Sequence, residues 1–170
     1  MRISVRDSDE LRAVVLAFKV LPRAIRNEIN RATRETLNPI WQDEIRSRLV
    51  SPMDARVLGT GVRVKAGNPP SVQAATSTRA IGRTRRLRPA DSWYAFEFGA
   101  ADIETTYQRT SSKGTRHTVK RHTRRQLPAR TRDGRVIFPA YHAAVPRMAS
   151  RWVQGVVRLI HEAAEGKAGS

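Results

Sequence analysis

The chain has 170 residues, 39% of them hydrophobic, and 32 Lys and Arg outnumber 15 Asp and Glu to give a formal net charge of +17. This length suits a single domain with a real core, while the lack of cysteine excludes disulfides and thiolate zinc sites. No stretch approaches the ~18 apolar residues of a membrane span and no signal peptide is visible, so the expected setting is the cytoplasm, without a membrane partner.

Taken in order, residues 2–6 alternate as a short strand with Ile3 and Val5 inward, and Asp7-Ser8-Asp9 offers a helix cap. Leu11, Val14, Val15 and Phe18 form the apolar stripe of a first helix. A long helix follows from about Pro22 to about Leu49, with Leu21, Ile25, Ile29, Ala32, Thr36, Trp41, Ile45 and Leu49 recurring on one side and Pro39 expected to kink or break it. Such a helix either packs partly on a neighbouring subunit or wraps over its own sheet. Ser51-Pro52-Met53 ends it. Gly61–Ala66 alternates as a strand with Val62 and Val64 inward, Gly67-Asn68-Pro69-Pro70 is a turn, and residues 72–76 return as the antiparallel partner.

Residues 79–90 carry a charge of +5 and read as a loop. Ser92–Phe98 then concentrates aromatics, and its alternation predicts a third strand, with Tyr94, Phe96 and Phe98 on the core face and Gly99 at its end. Residues 104–135 hold ten Arg or Lys against Glu104 and Asp133, with few aliphatic side chains, and read as a basic loop or β-hairpin arm. The Asp133-Gly134 pair suggests its tight turn, returning through Arg135–Phe138. From about Tyr141, Val145, Met148, Ala149, Trp152, Val156, Leu159, Ile160 and Ala163 mark one face of a terminal amphipathic helix capped near Gly166.

Tyr94-Ala95-x-Glu97-Phe98-Gly99, with a long helix upstream and Ile137-Phe138-Pro139-Ala140 leading into a terminal helix, resembles the tail-completion or neck proteins of long-tailed double-stranded DNA phages. The resemblance spans most of residues 20–165. It implies a small α+β virion subunit that joins tail to head and forms a homo-oligomeric ring with other neck and tail proteins. It implies no enzyme.

The residues themselves offer no catalytic constellation. His161-Glu162 opens like a zinc-protease helix, but Glu165 stands where the second histidine belongs, and His117 and His122 lie among cations. No cofactor or metal is expected. Glu97 is expected to be structural, paired with a basic side chain within or between subunits. Tyr94, Phe96, Glu97, Phe98 and Trp41 are the candidate interface residues. Arg109, Lys113, Arg116, Lys120, Arg121, Arg124, Arg125, Arg130 and Arg132 are the candidate arm residues, for docking on an acidic neighbour through Arg–carboxylate pairs or for contact with double-stranded DNA. The expected whole is one α+β domain over 1–170: a small antiparallel sheet, a long N-terminal helix, a C-terminal amphipathic helix and a basic arm at 104–135. The alternatives to the connector reading are a tail-terminator ring and a basic non-specific DNA-binding protein.

Overall fold

The computed structural model describes residues 9–83, 86–122 and 127–165. Along them run α1 (Asp9–Val20), α2 (Arg23–Arg46), α3 (Pro52–Val57), β1 (Arg63–Lys65), β2 (Ser71–Gln73), α4 (Pro89–Phe98), β3 (Glu104–Thr110), β4 (Arg116–His122) and α5 (Ile137–Ala164). This is a small α+β fold. Its strands form two separate antiparallel pairs, β1 with β2 and β3 with β4, instead of one sheet. The expected strand at 2–6 and the cap at Gly166 lie outside the described residues.

α2 and α5 are the frame. Ile29, Thr33, Leu37, Trp41 and Ile45 recur every four residues along α2 and are buried, as are Ala140, Ala144, Met148, Trp152, Val156 and Leu159 along α5. The α5 stripe begins with small alanines and continues with large side chains. The buried α2 row runs through Thr33 and Leu37, whereas Thr36, expected on it, is exposed. α1 adds Val14 and Phe18 to the same core.

Both long helices continue through a proline, Pro39 in α2 and Pro146 in α5. Each proline is exposed, as are Glu35 and His142 four residues earlier. The carbonyls that lose their helical partner therefore face water, which lowers the penalty of an internal proline.

β1 and β2 pair through Arg63↔Gln73, Val64↔Val72 and Lys65↔Ser71, with Val64 and Val72 buried. One face of α2 fastens them. Asn38 Oδ1 accepts from the Val64 N–H at 2.6 Å, Trp41 Nε1 donates to the Gln73 carbonyl at 2.8 Å, and Gln42 Nε2 donates to the Val62 carbonyl at 3.4 Å. Positions three and four apart share a helix face, so one turn of α2 reaches the small sheet three times.

The aromatic stretch corrects the strand expected at 92–98. It is the helix α4, and it pairs with neither β1 nor β2. Pro89 stands in its first turn, where the missing N–H costs nothing, and Asp91 places negative charge at the positive end. Gly99 ends it at φ 68°, a conformation that favours glycine. Trp93–Phe98 is apolar at every position but Glu97, which suits either period, and the start signal decides for helix.

Candidate functional site

The basic segment is a hairpin, but it turns elsewhere than expected. β3 and β4 pair over seven residues from Glu104↔His122 to Thr110↔Arg116, and the turn is made by residues 111–115, not by Asp133-Gly134. There the Ser111 N–H donates to the Thr115 carbonyl at 2.9 Å and the Gly114 N–H to the Ser111 carbonyl at 3.0 Å, with Gly114 at φ 80°. Every residue of β3 is exposed, and in β4 only Val119 and His122 are partly covered. At ~3.4 Å per residue the seven pairs form a ribbon ~24 Å long with both faces open to solvent.

The two faces differ. One carries Glu104, Thr106, Gln108 and Thr110 opposite His122, Lys120, Thr118 and Arg116. Here Lys120 meets Glu104 at 3.1 Å, and Gln108 Nε2 donates to Thr118 Oγ1 at 3.0 Å. His122 lies 3.6 Å from Glu104 and 3.8 Å from Asp102. The other face carries Thr105, Tyr107 and Arg109 opposite Arg121, Val119 and His117 and has no acid. The Arg121 guanidinium lies over the Tyr107 ring, 5.6 Å from its centre. Lys113 sits in the turn, and Arg130 and Arg132 are exposed on the returning segment. Arg124 and Arg125 lie outside the described residues.

The base of the arm is held by the aromatic motif. Glu97 is fully buried and receives the backbone N–H groups of Arg135 (3.1 Å), Val136 (3.2 Å), Ile137 (2.9 Å) and Phe138 (3.0 Å). The N–H groups of Val136, Ile137 and Phe138 are donors that the first turn of α5 leaves without helical partners, Arg135 adds one from just before the cap, and a carboxylate there also complements the positive end of the helix dipole. This corrects the expectation of a basic side-chain partner: Glu97 is bound by backbone amides. It also explains why α5 begins at Ile137 instead of near Tyr141.

The Arg135 side chain goes elsewhere. It donates to the Phe96 carbonyl at 3.0 Å and meets the buried Asp54 carboxylate at 3.4 Å. Asp54 belongs to the Ser51 capping box of α3, so the same carboxylate accepts from the Ser51 N–H at 3.1 Å. α3 went unseen in the sequence, although Ser51-Pro52-x-Asp54 carries its signal.

Phe98 packs between Trp93 and Phe138 with the rings tilted, their centres 6.3 and 5.2 Å away. Beside it the Thr131 N–H donates to the Phe98 carbonyl at 2.9 Å and the Ala100 N–H to the Pro128 carbonyl at 3.0 Å. The outgoing and returning roots of the arm are thereby clamped together. Gly99 and Gly134 (φ 76°) permit this: a Cβ at Gly99 would strike the Pro128 and Ala129 carbonyls, and one at Gly134 would strike the Glu97 carboxylate. The two motifs, Tyr94–Gly99 and Ile137–Ala140, are therefore two halves of one latch.

Of the candidate interface residues, Trp41, Phe96 and Glu97 face the chain's own interior and Phe98 is half-buried, which leaves Tyr94 exposed at 59%. Among the described residues no three His, Asp or Glu gather as a metal would require, and no helix is long and apolar enough to cross a membrane. Comparison with protein-family models, with curated proteins and with solved structures finds no match.

Proposed function

We propose that this chain is a structural subunit of a phage neck, a ring-forming head–tail connector or tail-completion protein that acts by assembly. The observation that carries the assembly reading is the position of its exposed apolar side chains. Leu16 (62% exposed) and Val20 (84%) share one face of α1 and end just before α2 begins. Val50 (82%) and Met53 (42%) follow its C-terminal end and line a hollow with Phe96, Leu127 and Pro128. α2, 24 residues and ~36 Å long at 1.5 Å per residue, runs between the two sets.

α1 buries Val14 and Phe18 inward while presenting Leu16 and Val20 outward, so it is apolar on two sides and calls for two partners. Distinct patches at opposite ends of one subunit suit a heterologous contact, in which one patch of a subunit meets the other patch of the next. Repetition of such a contact closes into a ring when the rotation allows. The phage setting rests on the resemblance carried by Tyr94–Gly99 and Ile137–Ala140, whose residues meet in the latch and give the arm a fixed exit from the ring wall.

Negative-stain imaging of the purified full chain across a salt series tests this reading. Closed rings that persist at high salt without any added partner are expected, because the proposed contacts are apolar. Particles that form only on added DNA and dissolve as salt rises would replace it with a non-specific DNA-binding protein.

A further inference from the structure

The partner of the arm can be argued from what the arm lacks. Protein-docking surfaces place aromatic and aliphatic anchors at a dry centre, ringed by polar groups. The β3–β4 ribbon offers two side chains of that kind, Tyr107 and Val119, and the Tyr107 ring is already covered by Arg121. Its other side chains are Thr105, Thr106, Gln108, Thr110, Thr118, two histidines, Glu104 and cations. Arg, Lys, Ser, Thr and Gln are the side chains that bind sugar-phosphate backbones. A two-stranded ribbon is also one of the shapes that the major groove of a duplex admits.

The charges agree. Among the described residues no carboxylate pairs with Arg109, Lys113 or Arg116, and Arg121 lies on the acid-free face. Lys120 is held by Glu104. Four cations are thus open to an external anion along a ribbon exposed on both faces. We infer that the β3–β4 hairpin binds the phosphate backbone of duplex DNA without reading its sequence, through Arg109, Lys113, Arg116 and Arg121. This stands on the ribbon alone and holds whether or not the chain forms rings.

Four neutralised phosphates give a log–log salt slope of about −3.5, so affinity falls about a hundredfold between ~50 and ~200 mM salt. Binding therefore weakens steeply as salt rises toward the physiological range. Duplex could then slide past the arm, whereas a heavily charged sleeve would hold it fast.

The test is fluorescence anisotropy of the full chain with a labelled mixed-sequence duplex over that salt range. A triple variant, Arg109→Gln, Arg116→Gln and Arg121→Gln, is compared with a control, Arg31→Gln and Arg34→Gln, on the exposed side of α2. All five side chains are exposed, and circular dichroism checks that both variants keep the fold. The expected results are a slope of about −3.5 in the parent and the control, and about −1 in the triple variant, whose affinity then changes only about fourfold across the range. An equal slope in the triple variant overturns the inference. So does tight binding of labelled poly-glutamate, lost in the triple variant, by a chain that ignores the duplex: that result assigns the arm to an acidic protein.

Discussion

Replacing Glu97 by Gln probes the latch with almost no change of volume. In the parent, two carboxylate oxygens accept four backbone N–H groups at 2.9–3.2 Å in a fully buried site. The amide keeps one acceptor oxygen and turns an NH2 group toward donors that cannot accept from it. At least one N–H of residues 135–138 then loses its partner, at about 1–3 kcal/mol each, and the lost charge at the helix start removes about 1 kcal/mol more. A total of about 2–4 kcal/mol is expected, out of the ~5–15 kcal/mol typical of a domain. Glu97→Ala strips all four and should leave little folded protein. Urea unfolding followed by far-UV circular dichroism measures the loss, with an unchanged m-value to show that both end states are preserved. Hydrogen exchange should locate the fastest new opening at Val136–Phe138. If Glu97→Gln lies within about 0.5 kcal/mol of the parent, the reasoning that α5 and the arm root depend on this carboxylate is refuted.

Gly134→Ala should cost about 2 kcal/mol or more by thermal unfolding, because φ 76° disfavours a side chain and the new Cβ meets the Glu97 carboxylate. Ser51→Ala removes the α3 cap, and the expected loss in urea is about 1 kcal/mol. Trp41→Phe removes the indole donor from the Gln73 carbonyl and should lose about 1 kcal/mol in the same assay, with earlier exchange of the β1–β2 amides. Replacing residues 105–121 by a short Gly-Ser linker should move the thermal midpoint very little, since the ribbon buries almost nothing against the body. A large drop there would mean that the arm supports the fold.

The long helices were legible because their apolar residues return at the helical period and far outnumber interruptions. Val14 and Phe18, and Met148, Trp152, Val156 and Leu159, are buried as the spacing requires. Val64 was legible for the complementary reason, standing between Arg63 and Lys65 in a strand with one wet face. The arm was legible from composition, since residues with so little to bury cannot lie in a core. Its turn was not: Asp133-Gly134 and Ser111–Gly114 are both good turn sequences, and only the packing of Gly134 against Glu97 shows that the first belongs to the latch.

α4 was misread because Trp93–Phe98 is apolar on every side except at Glu97, which leaves no period to detect. Pro89 and Asp91 held the deciding signal. The partner of Glu97 was hidden for a deeper reason. A search for opposite charges finds side chains, while the donors here are main-chain amides 38 to 41 residues away that exist as a set only once α5 has formed.

The claim that this chain acts by head-to-tail assembly is tested most directly by mixing two broken subunits. One carries Leu16→Glu and Val20→Glu, the other Val50→Glu and Met53→Glu, all at exposed positions. Each variant alone should sediment as a single chain of 19.1 kDa, since each lacks one half of every contact. Mixed in equal amounts, they should form a one-to-one dimer through the single intact junction and grow no further, while the parent forms a larger closed species. Parent protein that stays a single chain at every concentration, or variants that assemble as the parent does, would contradict the account.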